Sequence, residues 1–369
     1  MTAGTIPPTR MRIPHFAALT GLRGLAAWGV VFFHARSKLT DWVPDWLVGW
    51  GDKGYLAVDL FFMLSGFVMY LNYASRLKGG GMGAVLDFWW RRFARIYPLH
   101  LAVLAGLVGL AAIMAATGRD TSNYPLHELP LHLLLIQNWG FTEALKWNHP
   151  AWSISAEVGA YILFPLILLL VDWDRASPAR LAVIIVLLAA ALWGAFAWGG
   201  HALLGDAIER MGLLRCVGGF TIGIAVAALW TRWRDRGVAG PLYAVTAALF
   251  AAHLWFDTPE VLMVPLIFAA LLLAIATDNG VLARGLSARP LLWLGDTSYA
   301  VYLIHWPLMI VFLLLLPGDD PQIGPALFLA YCAVTAAVSD RTWRWLEKPA
   351  QRWLNARSPV AAPTRSAAS

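Results

Sequence analysis

An arginine and a histidine stand inside an otherwise apolar run near the start of the chain, LTGLRGLAAWGVVFFHAR. Arg23 and His34 are separated by three helical turns to within about 20°, so a helix places both on one face, about 16 Å apart along its axis. Ionisable side chains at membrane depth are costly and mark functional sites. The pair predicts a cation near one mouth of a membrane cavity and a titratable imidazole deeper along the same wall.

A cluster of arginines follows in FWWRRFARIYP, where Arg91, Arg92 and Arg95 have i,i+3 and i,i+4 spacing. One interpretation is lipid anchoring by basic and aromatic residues at the inner membrane surface. The other is an anion clamp, because guanidinium groups bind phosphate bidentately. The cluster alone favours anchoring, but its combination with a buried histidine favours the clamp.

Two carboxylates lie inside apolar spans, Glu157 in PAWSISAEVGAYILFP and Asp59 in GYLAVDLFFMLSGF. Each is a candidate partner that would orient the imidazole of His34 and stabilise its protonated form. Ser153 shares a helix face with Glu157, and Ser65 lies in the span of Asp59. The alternative for Glu157 is a structural ion pair with an arginine of another helix.

A polar face recurs near the end of the chain in GDTSYAVYLIHWPLM. Cavity lining and hydrogen bonding between helices are the favoured roles there, and the residues predicted to line the cavity are Ser65, Trp152, Ser153, Tyr299, Tyr302 and His305. The sequence has no GxSxG motif, no phosphate-binding glycine loop with its lysine and no metal-ligand spacing, so we expect no bound metal.

Composition defines the class of protein that must position these residues. The chain has 369 residues, of which 59% are hydrophobic and 14% charged, and it contains 20 Trp. Apolar blocks alternate with short polar or arginine-rich segments, which is typical of a polytopic helical membrane protein. The net charge of +6 is explained by basic loops on one side of the membrane and requires no nucleic-acid partner.

The hydropathy pattern predicts an all-α bundle of about ten membrane spans with both termini in the cytoplasm. The spans fall near residues 19–36, 55–73, 95–117, 150–171, 181–199, 212–230, 241–256, 259–276, 297–316 and 324–346. The stretch 131–140 is too short to span and is expected to be interfacial or re-entrant. We expect a cytoplasmic lead-in over residues 1–18, one membrane domain over 19–353 and a disordered cytoplasmic tail over 354–369.

Six segments in order resemble the acyltransferase-3 family, integral membrane enzymes that O-acylate carbohydrates and other acceptors. They are LRGLAAWGVVFFH, GYLAVDLFFMLSGF, RRFARIYP, WSISAE, SYAVYLIHWP and EKPAQRW. Arg23 and His34 fit the family pattern of an arginine, ten residues and a histidine. The resemblance implies a cytoplasmic acyl-coenzyme A donor, often acetyl, and an acceptor in the membrane or on its outer face. Some members carry a C-terminal SGNH-type domain, and we expect this chain to act as a membrane domain without one.

The resulting hypothesis is an O-acyltransferase of the bacterial cytoplasmic membrane. Arg23, Arg91, Arg92 and Arg95 would hold the donor, and His34 would deprotonate a hydroxyl of a carbohydrate, glycolipid or glycosylated small molecule. An acyl-histidine intermediate stays open as a second route. A transporter that uses intramembrane His, Glu and Arg for protons and anions is the alternative function, against which the lack of an internal repeat counts. A non-catalytic lipid-binding scaffold would need the arginines but not His34.

Overall fold

The computed structural model describes residues 16–318 and 321–359, and all regular elements in these ranges are helical. Fourteen α-helices follow one another: α1 (Ala17–Ala35), α2 (Asp45–Gly51), α3 (Ala57–Gly79), α4 (Gly81–Ala116), α5 (Leu129–Leu134), α6 (Ala151–Leu170), α7 (Pro178–Trp198), α8 (Ile208–Trp233), α9 (Ala239–Phe256), α10 (Glu260–Thr277), α11 (Val281–Leu286), α12 (Arg289–Leu314), α13 (Pro325–Thr342) and α14 (Lys348–Ala356).

Within the described ranges, nine helices are long and apolar enough to cross a membrane. They are α1, α3, α4, α6, α7, α8, α9, α10 and α12. Helices satisfy all backbone groups within one segment, which is why apolar runs of this length adopt them in lipid. The predicted all-α membrane bundle is therefore confirmed. The predicted tenth span corresponds to α13, which is helical but falls outside this set.

The short segment between α4 and α6 does not cross the bundle. Helix α5 has six residues and is followed by Leu135, whose backbone is left-handed with φ of 56°. The chain then turns inward, and Gln137 and Asn138 are buried before α6 begins at Ala151. A non-spanning segment at 131–140 was expected from its length, and the structure confirms it.

Close helix contacts bring the functional faces together. At Gly66 of α3 a Cβ atom would overlap the carbonyl oxygen of Phe220 in α8, and at Gly24 of α1 it would overlap the backbone of Leu294 and Gly295 in α12. Small residues permit such approach between membrane helices. Through the contact between α1 and α12, the face of α1 that carries Arg23 and His34 packs against a helix from the second half of the chain.

The ends of the described chain differ from the predicted boundaries. Helix α1 begins at Ala17, while residues 1–15 of the predicted lead-in lie outside the described residues. Helix α14 continues through Ala356, so the first three residues of the predicted disordered tail are helical. Trp90 of α4 donates a hydrogen bond of 3.0 Å to the carbonyl of Leu354 and holds this helix on the bundle. Residues 360–369 lie outside the described residues.

Candidate active site

A cavity of about 530 Å³ lies between α1, α3, α4, α6 and α12. One end is lined by Phe16 and Asn72, at the start of α1 and towards the end of α3, and the other by Ser153 and Tyr302. The predicted orientation places the first end at the cytoplasm. The polar side chains in the wall are Thr20, Arg23, Ser65, Asn72, Arg92, Arg95, Ser153, Glu157, Tyr161, Ser298, Tyr299 and Tyr302.

Three of the four predicted donor-binding arginines line this cavity. Arg23 donates to the carbonyl of Gly295 at 2.7 Å, Arg92 donates to the hydroxyl of Tyr73 at 2.8 Å, and Arg95 pairs with Glu347. The Nε atoms of Arg23 and Arg92 have no hydrogen-bond partner in the part of the chain that the structure describes. Three guanidinium groups in one wall make this cavity suited to an anionic ligand.

Arg91 departs from the prediction. Its guanidinium faces its own helix and pairs with Asp87 at 2.8 Å, one turn earlier, and it is absent from the cavity wall. Arg91 and Arg92 are adjacent in sequence and therefore point about 100° apart on a helix. Arg92 and Arg95 therefore line the cavity and Arg91 does not, while a role of any of them in holding a donor stays a prediction.

Glu157 lies in the cavity wall and not beside His34. Its Oε1 accepts hydrogen bonds from the hydroxyls of Ser65 and Tyr161, both at 2.6 Å. The expected contact between this carboxylate and the imidazole is therefore wrong. Glu157 instead places a carboxylate among the three arginines of the cavity.

Asp59 is also engaged elsewhere. Its two carboxylate oxygens accept from Nε and Nη2 of Arg215 at 2.7 and 2.6 Å, and both side chains are buried. Arg215 further donates to the backbone carbonyls of Leu204 and Tyr55. A bidentate pair with its remaining donors satisfied is a structural ion pair. The expectation that Asp59 partners His34 is corrected accordingly.

The partner of His34 is a second histidine. Nδ1 of His34 lies 3.0 Å from Nε2 of His305, and Nδ1 of His305 lies 3.0 Å from the carbonyl oxygen of Val301. A carbonyl can only accept, so His305 donates through Nδ1, and its neutral ring presents Nε2 as an acceptor. His34 then donates through Nδ1 and keeps the lone pair on Nε2. A free lone pair on an imidazole nitrogen is what a general base or a nucleophile requires.

The histidine pair stands one side chain beyond the deep end of the cavity. Tyr302 lies in the cavity wall, and its ring centroid is 6.1 Å from that of His305. The Tyr302 hydroxyl is 2.7 Å from Oγ of Ser153, and the ring of Phe61 packs on it edge to face. The sequence predicted that His34 lies deeper along the same cavity wall as Arg23, but His34 does not line the cavity. It contacts His305, which packs against Tyr302.

Side chains that sequence reasoning did not select complete the surroundings. His149 and Trp306 have ring centroids 5.7 and 5.2 Å from that of His34. Trp152, predicted to line the cavity, packs instead on the guanidinium of Arg215 at 5.4 Å. Arg215 carried a usable signal, a charge inside an apolar span. His149 and Trp306 carried none, because only the folding of the outer segment brings them together.

Fold and site together define a polytopic helical membrane protein with an arginine-lined cavity that ends below a histidine pair. The chain belongs to the acyltransferase-3 family, since the family model, described as an acyltransferase domain, matches residues 16–343. It is 30% identical to the acyltransferase MdmB of Streptomyces mycarofaciens, over 96% of each chain.

More distant relatives include two O-acetyltransferases. The chain is 23% identical to the peptidoglycan O-acetyltransferase OatA of Listeria monocytogenes over 93% of its length, and 23% identical to the O-acetyltransferase OatA of Staphylococcus aureus over 92%. It spans 57% of the length of each of these relatives. No solved structure matches the chain. The protein is an integral membrane O-acyltransferase.

Proposed function

We propose that the enzyme transfers an acyl group, acetyl in the simplest case, from cytoplasmic acyl-coenzyme A to a hydroxyl of a carbohydrate or glycoconjugate. This proposal rests on one observation, namely that the arginine-lined cavity and the histidine pair lie next to each other. A cavity lined by Arg23, Arg92 and Arg95 ends one side chain below the pair of His34 and His305. A polyanionic donor with a long arm that ends in a thioester matches both features.

The donor phosphates would bind the guanidinium groups of the cavity. Arg23, Arg92 and Arg95 line the cavity, and charge-assisted hydrogen bonds to phosphate are strong. The pantetheine arm would then extend towards Ser153 and Tyr302 at the deep end. Because the phenol of Tyr302 separates this end from His305, we expect the thioester to displace that side chain when it approaches the imidazole.

In the proposed reaction, Nε2 of His34 accepts the proton of the acceptor hydroxyl while its oxygen attacks the thioester carbonyl. A carbon–oxygen bond forms, the carbon–sulfur bond breaks, and the thiolate of coenzyme A leaves. The thiolate takes the proton from the imidazolium, which returns His34 to its neutral form. In the alternative route Nε2 itself attacks the carbonyl and passes the acyl group on. Both routes use the same lone pair.

The acceptor class rests on the relatives. Two of them are O-acetyltransferases, and one is described as acting on peptidoglycan. A carbohydrate hydroxyl in the envelope of a bacterium, with the enzyme in the cytoplasmic membrane, agrees with those descriptions. Membrane lipid would surround the bundle and could also carry the acceptor as a glycolipid.

The test begins with binding of acetyl-coenzyme A to the purified protein by calorimetry. We expect saturable binding in the wild type and an affinity about 10- to 100-fold weaker in Arg92→Gln, since a hydrogen bond to a charged group contributes about 1.5–3 kcal/mol. Arg91→Gln is the matched control, because Arg91 pairs with Asp87 outside the cavity. Equal binding in all three proteins would remove the cavity from donor recognition.

Turnover of radiolabelled acetyl-coenzyme A tests the chemistry separately. His34→Asn, folded and with wild-type donor affinity, is expected to lose about 100-fold or more of the acetyl release and transfer rate. Near-normal turnover in this variant would exclude histidine catalysis while leaving the donor site intact.

A further inference from the structure

The segment EKPAQRW, residues 347–353, lies where α13 passes into α14. The structure describes this segment in full, and none of its residues lines the arginine-lined cavity. Its first residue, Glu347, ends a single π-helical turn over Trp343–Glu347, in which the N–H of Lys348 bonds to the carbonyl of Trp343, five residues earlier. Pro349 has no N–H to donate, so the regular α-helical ladder is interrupted at this point. Turns of this kind occur often at functional sites.

The side chain of Glu347 lies inside the bundle, against α4. It is 3% accessible, and its Oε1 accepts a hydrogen bond from Nη1 of Arg95. Its second oxygen, Oε2, is buried without a hydrogen-bond partner among the described residues. The cation that this buried carboxylate faces is therefore Arg95.

Arg95 stands between this carboxylate and the cavity. Its side chain is 26% accessible and lines the cavity, whereas Glu347 is not part of the described wall. On another side, the guanidinium carbon lies 5.2 Å from the ring centroid of Tyr299. The Tyr299 hydroxyl donates to the carbonyl of Ile96 at 2.7 Å, which fixes that ring. A carboxylate and an aromatic ring thus hold one guanidinium in the wall.

This ion pair differs from the buried pair of Asp59 and Arg215. Arg215 binds both carboxylate oxygens of Asp59 as well as two backbone carbonyls, and its side chain is 1% accessible. Arg95 keeps more than a quarter of its surface accessible and lines a cavity that also contains the like charges of Arg23 and Arg92. Repulsion from those charges and the many rotamers of a free arginine side chain would both move Arg95 away from its place. The carboxylate behind it opposes both effects.

We infer that Glu347 is a positioning residue, which holds the guanidinium of Arg95 in the orientation that meets an anionic donor in the cavity. Binding of the donor then does not have to order a free arginine side chain, and this adds to the affinity. The inference rests on the proposed function, because it needs an anionic donor at Arg95. It gives the C-terminal segment a role in a cavity that it does not line.

The test is calorimetric binding of acetyl-coenzyme A to the purified full-length protein, with two variants that separate position from charge. Glu347→Gln keeps an oxygen at the same reach and removes a negative charge near the donor, so we expect it to bind at least as tightly as the wild type. Glu347→Asp keeps the charge but is one methylene shorter. We expect its affinity to be about 3- to 10-fold weaker, the effect of leaving one long side chain to be ordered on binding.

A double-variant cycle separates positioning from a general effect on the fold. Glu347→Asp should weaken binding in the wild-type background but not in an Arg95→Gln background, where there is no guanidinium to hold. Asp87→Ala is the matched control, because Asp87 pairs with Arg91 on the same helix and Arg91 does not belong to the described cavity wall. We expect that variant to bind within about twofold of the wild type, since the guanidinium it releases does not meet the donor.

Three outcomes would overturn the inference. They are wild-type affinity in Glu347→Asp, an affinity in Glu347→Gln as low as in Glu347→Asp, and an equal loss from Glu347→Asp in the Arg95→Gln background, which would indicate an effect on the fold. A folded wild type that does not bind acetyl-coenzyme A would instead refute the proposed function.

Discussion

His34 and His305 are 271 residues apart in sequence, yet Nδ1 of the first lies 3.0 Å from Nε2 of the second. His305 is fully buried, and its own Nδ1 is anchored on the carbonyl of Val301. The relationship differs from a carboxylate–histidine pair. The neutral imidazole of His305 fixes the tautomer of His34, but it has no negative charge to stabilise His34 once that ring is protonated. A proton accepted by His34 is therefore expected to pass quickly to the leaving thiolate.

Replacing His305 should separate these effects. In His305→Leu the acceptor for Nδ1 of His34 is lost, and we expect kcat to fall about 100-fold with an unchanged KM for the donor. In His305→Gln an amide oxygen can stand near the former Nε2, so most of that loss should be recovered. Steady-state kinetics on both folded variants measures this, and equal losses would assign His305 a packing role alone.

Glu157 should act through the charge of the cavity and not through His34. Glu157→Gln keeps an oxygen for Ser65 and Tyr161 but removes a negative charge beside three arginines. We expect the KM for the anionic donor to decrease about fivefold, an effect of about 1 kcal/mol from one less repulsion. The pH dependence of kcat should be the same as in the wild type. A displaced pH profile would restore the carboxylate as a partner of the catalytic base.

Asp59 should contribute to the stability of the folded protein and not to the reaction. In Asp59→Asn the guanidinium of Arg215 loses its counter-charge in a buried site, and breaking a buried pair costs about 3–5 kcal/mol. Thermal unfolding in detergent should show a clearly lower midpoint. The double variant Asp59→Leu with Arg215→Met removes both charges and should regain part of that stability. A single variant of wild-type stability with no turnover would point to catalysis instead.

Acidification should destabilise the outer segment through His132. Its pKa of about 4 in the folded protein lies below the ordinary value of 6.5, so the unfolded chain binds more protons between these values. Stability is complete above about pH 6.5 and decreases by up to about 3 kcal/mol as the pH falls towards 4. In His132→Gln the midpoint of thermal unfolding should depend less on pH across this range. His127→Gln, at an exposed histidine, should keep the wild-type slope.

The sequence determined the class of protein and most of the residues that matter. A bilayer forces apolar runs of about 20 residues into helices, so the spans could be located from hydropathy alone. Charged residues stand out in such runs because burying them in lipid is costly. Arg23 and Glu157 stand out on this basis, and Arg92 and Arg95 through their helical spacing at the membrane surface; all four line one cavity.

Only the tertiary structure decided which of these residues meet. Helical periodicity tells which side chains share a face, but not which face of which other helix packs against it. In the folded protein Glu157 accepts hydrogen bonds from Ser65 and Tyr161. Asp59 forms an ion pair with Arg215, and His34 contacts His305. The same limit applies to the buried amides of Gln137 and Asn148, whose orientations are fixed only by the backbone carbonyls of Ala151 and Leu303 that accept their hydrogens.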